Sequence, residues 1–201
     1  DEIHALTQGQ VELRHNESVD PSRKLYVVEI KQPNPVSSDV SLITAALNRG
    51  ALANAAQALG LAQRMIDISV QYTAERNQFG KPIGSFQAVK HHMANVAVRL
   101  EYAKAPVHRA AYAAANGLST LSENVSHAKL VACEAANLAA KNCIQVHGAM
   151  GYTWEVDLHI FMKKAWALAN SWGDAGFHKA RVSEFILGDD APLGAGNTFR
   201  N

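Results

Sequence analysis

The chain has 201 residues, of which 48% are hydrophobic, which is enough for one domain with a sizeable core and part of another. Its formal net charge is +1 and its basic residues are mixed with acidic ones, which argues against a nucleic-acid partner or an anionic membrane surface. No apolar stretch approaches the roughly 18 residues of a membrane span, and the first residues do not resemble a signal peptide, so we expect a cytoplasmic protein.

The first 36 residues have the character of strands. The segments 11–14 and 24–30 are rich in β-branched and aromatic residues, and turn-like residues up to Pro21 separate them. The sequence Pro33-Asn-Pro35 closes the second segment. Because two strands alone are only marginally stable, we predict that residues 1–36 are part of a β domain whose other strands lie elsewhere.

A helical pattern begins at Ser38 and continues towards the end of the chain. Asp39 or a neighbouring serine can cap a first long helix, in which apolar residues recur every three or four positions from Leu42 to Ile66. Three helix-breaking residues then end this helix: Gly80, Pro82 and Gly84. The pattern therefore predicts a single helix of more than 30 residues.

Two further helices follow. We predict the second from Ser85, as its N-cap, to Gly117, with a kink at Pro106. The sequence Thr120-Leu-Ser-Glu123 has the form of a capping box and predicts a third helix that extends to about His147.

A fourth helix is predicted from about Asp157 to Leu187, with an interruption around residues 173–176. Four long helices with short connections indicate an antiparallel four-helix bundle over residues 37–201, so the fold class is mainly α. The many alanines of the third helix allow close helix packing. Cys133 and Cys143 lie about 15 Å apart along that helix, too far for a disulfide, and are interpreted as reduced core residues.

Arg76 ends the first helix beside a turn with the sequence Gly-Lys-Pro-Ile-Gly. A guanidinium in this place can bind a phosphate, and Gln78 and exposed backbone offer further hydrogen bonds. By itself the pattern is equally consistent with an Arg76 that is solvated, or paired with Glu75 or a carbonyl.

Two separated motifs resemble signatures of the acyl-CoA dehydrogenase family. The first is Arg-x-Gln-Phe-Gly-x-Pro-Ile-x-x-Phe-Gln, which starts at Arg76, and the second is Gln-x-x-Gly-x-x-Gly-Tyr from Gln145 to Tyr152. The resemblance covers about residues 19–187. It implies the C-terminal four-helix bundle of that family, preceded by the end of its β domain.

The resemblance also implies an FAD site that is shared across a subunit interface. In the family, residues of both motifs contact the FAD held by an adjacent subunit. The matching residues here are Arg76, Gln78, Phe79, Gln145, Gly148 and Ala149. Ala149 differs from the second glycine that is usual in the family, and its methyl group restricts close approach of the backbone.

The family's catalytic glutamate has no counterpart in this chain. Counted without gaps from Gly151, the position of that glutamate falls on Trp172, which cannot accept a proton. Some members supply the glutamate from the first bundle helix, at a position near Gly50, but no Asp or Glu occurs between residues 40 and 64. We therefore assign no catalytic residue, and the alternative is Asp174, two residues after Trp172, as a displaced base.

The leading hypothesis is a non-catalytic subunit that completes the FAD site of a catalytic acyl-CoA dehydrogenase subunit. The chain resembles the non-catalytic subunit of the heteromeric enzymes of actinobacterial steroid degradation, which implies an α2β2 assembly with the acyl-CoA bound on the partner. One alternative is a flavin-free scaffold protein with the same bundle, and another is a relative with oxidase or monooxygenase chemistry. The histidines lack metal-binding spacing, so no metal site is predicted.

Overall fold

The structure is a computed structural model that describes residues 2–188, 191 and 194. Within the described residues, five α-helices form the body of the molecule: α1 (Val40–Glu75), α2 (Gln87–Asn116), α3 (Leu121–His147), α4 (Leu158–Ala169) and α5 (Ala175–Leu187). They are preceded by four strands: β1 (Ile3–His4), β2 (Val11–Asn16), β3 (Leu25–Ile30) and β4 (Pro35–Ser37). Two more, β5 (Asn77–Gln78) and β6 (Lys81–Pro82), form a small hairpin between α1 and α2.

Side-chain contacts at the two ends of the helices define their directions. Asn48 near the start of α1 donates to Ser122 at the start of α3, and Tyr72 near the end of α1 stacks on His147 at the end of α3, so these helices are parallel. His92 near the start of α2 instead pairs with Asn142 near the end of α3. The helices therefore alternate in direction, as predicted for an antiparallel bundle.

Small residues lie where α1 and α3 pack together. The fully buried alanines of α1 and α3 belong to one hydrophobic cluster: Ala51, Ala55, Ala58, Ala62, Ala128, Ala132, Ala136, Ala139 and Ala140. Cys143 is buried among them and unpaired, and burial raises the pKa of its thiol to about 11. The abundance of alanine thus has the packing role that the sequence suggested.

The interruption predicted in the fourth helix is present, but it lies at residues 170–174 rather than 173–176 and separates α4 from α5. The buried Lys129 of α3 donates to the carbonyl oxygens of Leu168 at 2.8 Å and Ala169 at 3.4 Å, which are the last carbonyls of α4. A cation at a helix C-terminus satisfies groups that have no partner within the helix. Lys129 therefore fixes the point where α4 ends and the connection 170–174 begins.

Two predicted helix caps were wrong. Ser85 lies inside a 3-10 turn, so the extended residue Phe86, with ψ 135°, is the N-cap of α2 instead. The predicted capping box at Thr120 does not form: Thr120 has ψ 16° rather than an extended backbone, and its hydroxyl accepts from the side chain of Asn124. Helix α2 continues through Pro106, and the kink proposed there remains a prediction.

The N-terminal segment contains the two predicted strands as an antiparallel hairpin, β2–β3, in which Leu13 lies opposite Val28. Strands β1 and β4 form a second pair that the sequence did not predict, and the proposed boundary after residue 36 falls within β4. The hairpin connection contacts α4, because Arg23 Nη1 donates to the carbonyl of Ala167 at 2.9 Å and Lys164 pairs with the buried Asp20 at 3.2 Å.

Candidate functional site

The first motif forms an exposed hairpin at the end of α1. The backbone N–H of Arg76 donates to Tyr72, and the carbonyl of Arg76 accepts from Ile83 at 2.8 Å, which holds the β5–β6 turn against the helix. Within the described residues the Arg76 side chain is exposed and has no ion-pair or hydrogen-bond partner. In the part of the chain that it describes, the structure thus shows no pairing of the Arg76 side chain with Glu75 or with a carbonyl, and its exposure is consistent with either a solvated arginine or a phosphate ligand.

Phe79 occupies the tip of this hairpin under backbone strain. Phe79 has φ +53° and Gly80 has φ +78°, a combination typical of a tight hairpin turn. The left-handed conformation is disfavoured by roughly 1–2 kcal/mol for residues other than glycine. The Phe79 side chain is nevertheless 92% exposed, so the strain holds an aromatic ring in solvent rather than in the core.

The second motif begins in the last turn of α3 and continues in a 3-10 turn, Gly148–Tyr152. The side chain of Gln145 is exposed, as are Gly148 and Ala149. Gly148 has φ +58° and ψ −136°, a backbone conformation open almost only to glycine. The chain therefore turns sharply at the middle of the motif and leaves backbone polar groups accessible on its outer side.

A stacked pair of aromatic rings joins the two motifs. Tyr72, one turn before Arg76, lies parallel to the His147 ring with centroids 4.2 Å apart. Nδ1 of the buried His147 donates to the carbonyl of Cys143 at 2.7 Å, and burial lowers the pKa of this imidazole. His147 thus stabilises the end of α3, and its stacking on Tyr72 brings both motifs to one end of the bundle.

The position of the family's glutamate lies in the connection between α4 and α5. Trp172 there has φ +59° and a half-exposed indole. Its ring lies directly on the backbone of Gly50 in α1: a Cβ on Gly50 would be only 2.2 to 2.5 Å from Cδ2, Cε2 and Cε3. Trp172, which spacing matches to the family's glutamate, is therefore in contact with Gly50, near which the alternative position was predicted, and neither residue has a carboxylate.

A buried histidine fixes the backbone of this connection. His178 Nε2 lies 2.9 Å from the carbonyl oxygen of Trp172, and Nδ1 lies 3.1 Å from the hydroxyl of Ser126. Because a carbonyl oxygen only accepts, Nε2 holds the proton and Nδ1 accepts from Ser126. Burial lowers the pKa of His178, in keeping with a neutral ring.

Asp174, the alternative base proposed from the sequence, has a structural role in the fold. Its Oδ1 accepts from the backbone N–H of Phe177 at 2.8 Å, which makes Asp174 the N-cap of α5. The cap explains why a helix can restart immediately after the strained residue Trp172.

Sequence reasoning missed Tyr72 and His178, which position the two candidate regions. Tyr72 stands one turn before the first motif, and this spacing was the available signal. His178 had no such signal, because its contact with Trp172 depends on the break between α4 and α5.

In the described part of the chain, no three His, Cys, Asp or Glu side chains are placed to hold a metal ion. Nor is any helix of that part long and apolar enough to span a bilayer.

Residues 40–187 match the family model of the acyl-CoA dehydrogenase C-terminal domain. The chain is similar to acyl-CoA dehydrogenase IpdE2 of Mycobacterium tuberculosis, with 37% identity over 148 residues, which are 74% of this chain and 43% of that protein. It spans less than half the length of this and other curated relatives.

Two solved structures share the fold. A glutaryl-coenzyme A dehydrogenase in complex with glutaryl-CoA has a TM-score of 0.80 and 27% identity, over 90% of this chain and 48% of that chain. A chain of the ChsE4-ChsE5 complex from Mycobacterium tuberculosis has a TM-score of 0.82 over 93% of this chain and 52% of that chain. At 21% identity, the second likeness concerns the fold alone.

Proposed function

Because this chain belongs to the acyl-CoA dehydrogenase family, through its C-terminal domain at residues 40–187, we propose that it is the non-catalytic subunit of an FAD-dependent acyl-CoA dehydrogenase. The contact between Trp172 and Gly50 carries this proposal. The reaction needs a carboxylate that removes the proton next to the thioester carbonyl. An indole and a glycine provide no such group at the two places where the family has one.

The exposed end of the bundle fits a flavin cofactor bound by a neighbouring subunit. The exposed Arg76 guanidinium can form charge-assisted hydrogen bonds to a diphosphate, and the amide side chains of Gln78 and Gln145 are exposed as further donors. The bare ring of Phe79 offers an apolar face to a planar group. When bound, FAD supplies the acceptor for the hydride that leaves the substrate's β carbon.

The backbone of the second motif completes this surface. Gly148 lies in open space, since a Cβ there would meet no atom within 4 Å, and the adjacent Ala149 is exposed. An approaching ligand can therefore reach the backbone at this turn. The methyl group of Ala149 reduces the closeness of that approach but does not block it from within this chain.

We propose that the partner is a catalytic acyl-CoA dehydrogenase subunit, in an α2β2 hetero-oligomer, and that the partner binds the acyl-CoA. The similarity to IpdE2 of Mycobacterium tuberculosis supports the same class of reaction. Two observations support this division of labour: Arg76 and Phe79 are exposed at the end of the bundle, and Trp172 in place of the glutamate provides no base.

Substitution of Arg76 by Ala tests the proposal. In the purified complex, Arg76→Ala should lower the FAD content at least severalfold, because a charge-assisted contact to the diphosphate is lost, and flavin absorbance per protein measures this content. Arg64→Ala is the matched control, since Arg64 is also exposed on α1 but lies three turns from the motif.

The same measurement separates the alternatives. Unchanged flavin content in Arg76→Ala would contradict the proposal and favour a flavin-free scaffold. Flavin held by a homo-oligomer of this chain alone would favour the oxidase or monooxygenase alternative. Bleaching of such a flavin by acyl-CoA would show that this chain has a base of its own.

A further inference from the structure

Backbone strain marks two places in the chain. Among the described residues, only Phe79 and Trp172 combine a side chain with a positive φ. Such residues persist where the surrounding structure fixes them, and they concentrate at functional sites. Phe79 is already part of the proposed flavin surface, so the strain at Trp172 requires its own explanation.

The first contact that fixes Trp172 is the packing of its indole ring against Gly50. Gly50 lies in the interior of the 36-residue helix α1, where glycine is less favourable than alanine. The indole occupies the space that a Cβ would need, with ring atoms as close as 2.2 Å to that position. Because Gly50 has no side chain, helix α1 has a notch at this position, and the indole of Trp172 fills it.

The second contact fixes the backbone of the same residue. The carbonyl of Trp172 accepts a hydrogen bond from His178, a fully buried residue that is itself held by Ser126. The following residue, Gly173, has φ +92°, and a Cβ on it would lie 2.5 Å from the Phe177 ring and 2.7 Å from His178 Nε2. Neither the backbone nor the ring of Trp172 can therefore move without loss of these contacts.

We propose that Trp172 is a plug. Its ring keeps the acyl group of a CoA thioester out of the place in this chain that matches the family's catalytic site, an inference that rests on the proposed function. Loss of the base alone would require only a different side chain at position 172. The notch at Gly50 and the hydrogen bond from His178 hold a large ring in one place. The plug restricts acyl-CoA to the catalytic subunit, so that no substrate binds unproductively where no base is present.

The test is the number of octanoyl-CoA molecules bound per complex, measured by equilibrium dialysis. Trp172→Gly suits the positive φ and removes the ring, so one additional octanoyl-CoA should bind for each copy of this chain. Turnover per flavin should stay unchanged, because the new site has no base. Trp172→Phe keeps a ring on Gly50 and should retain the parent number, and Trp166→Ala removes an exposed tryptophan of α4 as a control.

The plug is overturned if the Trp172→Gly complex binds the same number of octanoyl-CoA molecules as the parent complex. The comparison requires that both complexes have the same melting temperature. Trp172→Asn, which also tolerates the left-handed conformation, serves where the glycine variant does not fold, and the same outcomes apply. The result is independent of the flavin measurement: loss of FAD in Arg76→Ala supports the proposed function whether or not the plug exists.

Discussion

At the residue scale, Trp172 and Gly50 are the two positions that spacing relates to the family's glutamate, and they are in contact. Spacing from Gly151 placed Trp172 at the glutamate position, and family spacing from Arg76 placed the alternative base near Gly50. The contact between the two depends on the positive φ of Trp172 and on the hydrogen bond from His178. A single sequence does not encode such backbone torsions in any local pattern, because tertiary contacts impose them.

Protonation of the buried histidines should weaken the fold in mild acid. Burial lowers the pKa of His178 and His147 below the ordinary value of 6.5. The unfolded state then binds more protons than the folded state just below pH 6.5, so stability falls as the pH drops through that value towards the folded pKa. The loss is at most about 1.4 kcal/mol per pH unit for each histidine.

Urea unfolding at about pH 7.5 and about pH 5.5 measures this loss. Between the two pH values, we expect His178→Gln to lose less free energy of unfolding than the parent chain, because only one of the two buried histidines then remains to titrate. His108→Gln, which changes an exposed histidine of α2, should keep the parent's loss. A parent chain that is equally stable at both pH values would contradict the prediction.

At the scale of elements, apolar periodicity and breaker residues predicted the helices well. Asp39 caps α1 as expected, since its carboxylate accepts from the N–H of Ser41 at 2.9 Å, and Gly117 ends α2 in a left-handed conformation. The errors at Ser85 and Thr120 arose because both caps require an extended backbone, which residue type alone does not determine. Helix existence was therefore easier to predict than the identity of each cap.

Enlargement of a small residue in the α1–α3 contact should destabilise the bundle. Ala55 has no exposed surface, so Ala55→Leu forces side chains or helices apart, which costs about 1–3 kcal/mol in the free energy of unfolding. The neighbouring Ala56 is exposed, and Ala56→Leu should change stability by less than about 0.5 kcal/mol. Urea denaturation of both variants compares them. If Ala55→Leu were as stable as Ala56→Leu, α1 and α3 would accommodate the larger side chain without cost, and the prediction would be wrong.

At the scale of the whole molecule, the bundle and the N-terminal segment differ in how much of their apolar surface is buried. Alternate residues of β2 and β3 form an apolar face that is about half exposed, including Leu13, Tyr26, Val28 and Ile30. The sequence predicts that these two strands belong to a larger β domain, and this stays a prediction. It did not predict the polar attachment through Asp20, Arg23 and Lys164, since these residues are more than 140 positions from their contacts.

Amide hydrogen exchange should separate the two parts. A two-stranded hairpin with a half-exposed face opens at low cost, whereas α1 and α3 open only with the core, so residues 11–30 should exchange much faster than residues 51–66. Mass spectrometry of the isolated chain measures both. Addition of the proposed catalytic subunit should slow exchange in the hairpin where the complex covers this face. Equal protection of the two segments in the isolated chain would contradict the prediction.

The alternation of helix directions has an electrostatic consequence at the end of the bundle that carries both motifs. Helices α1 and α3 end there with partial negative charge, while α2 and α4 begin there with partial positive charge. These helix dipoles largely offset one another, so backbone fields give a diphosphate little net attraction. In the proposed contact with FAD, the attraction would then come from side chains, foremost the exposed Arg76 and Lys81, and it should weaken as salt screens them.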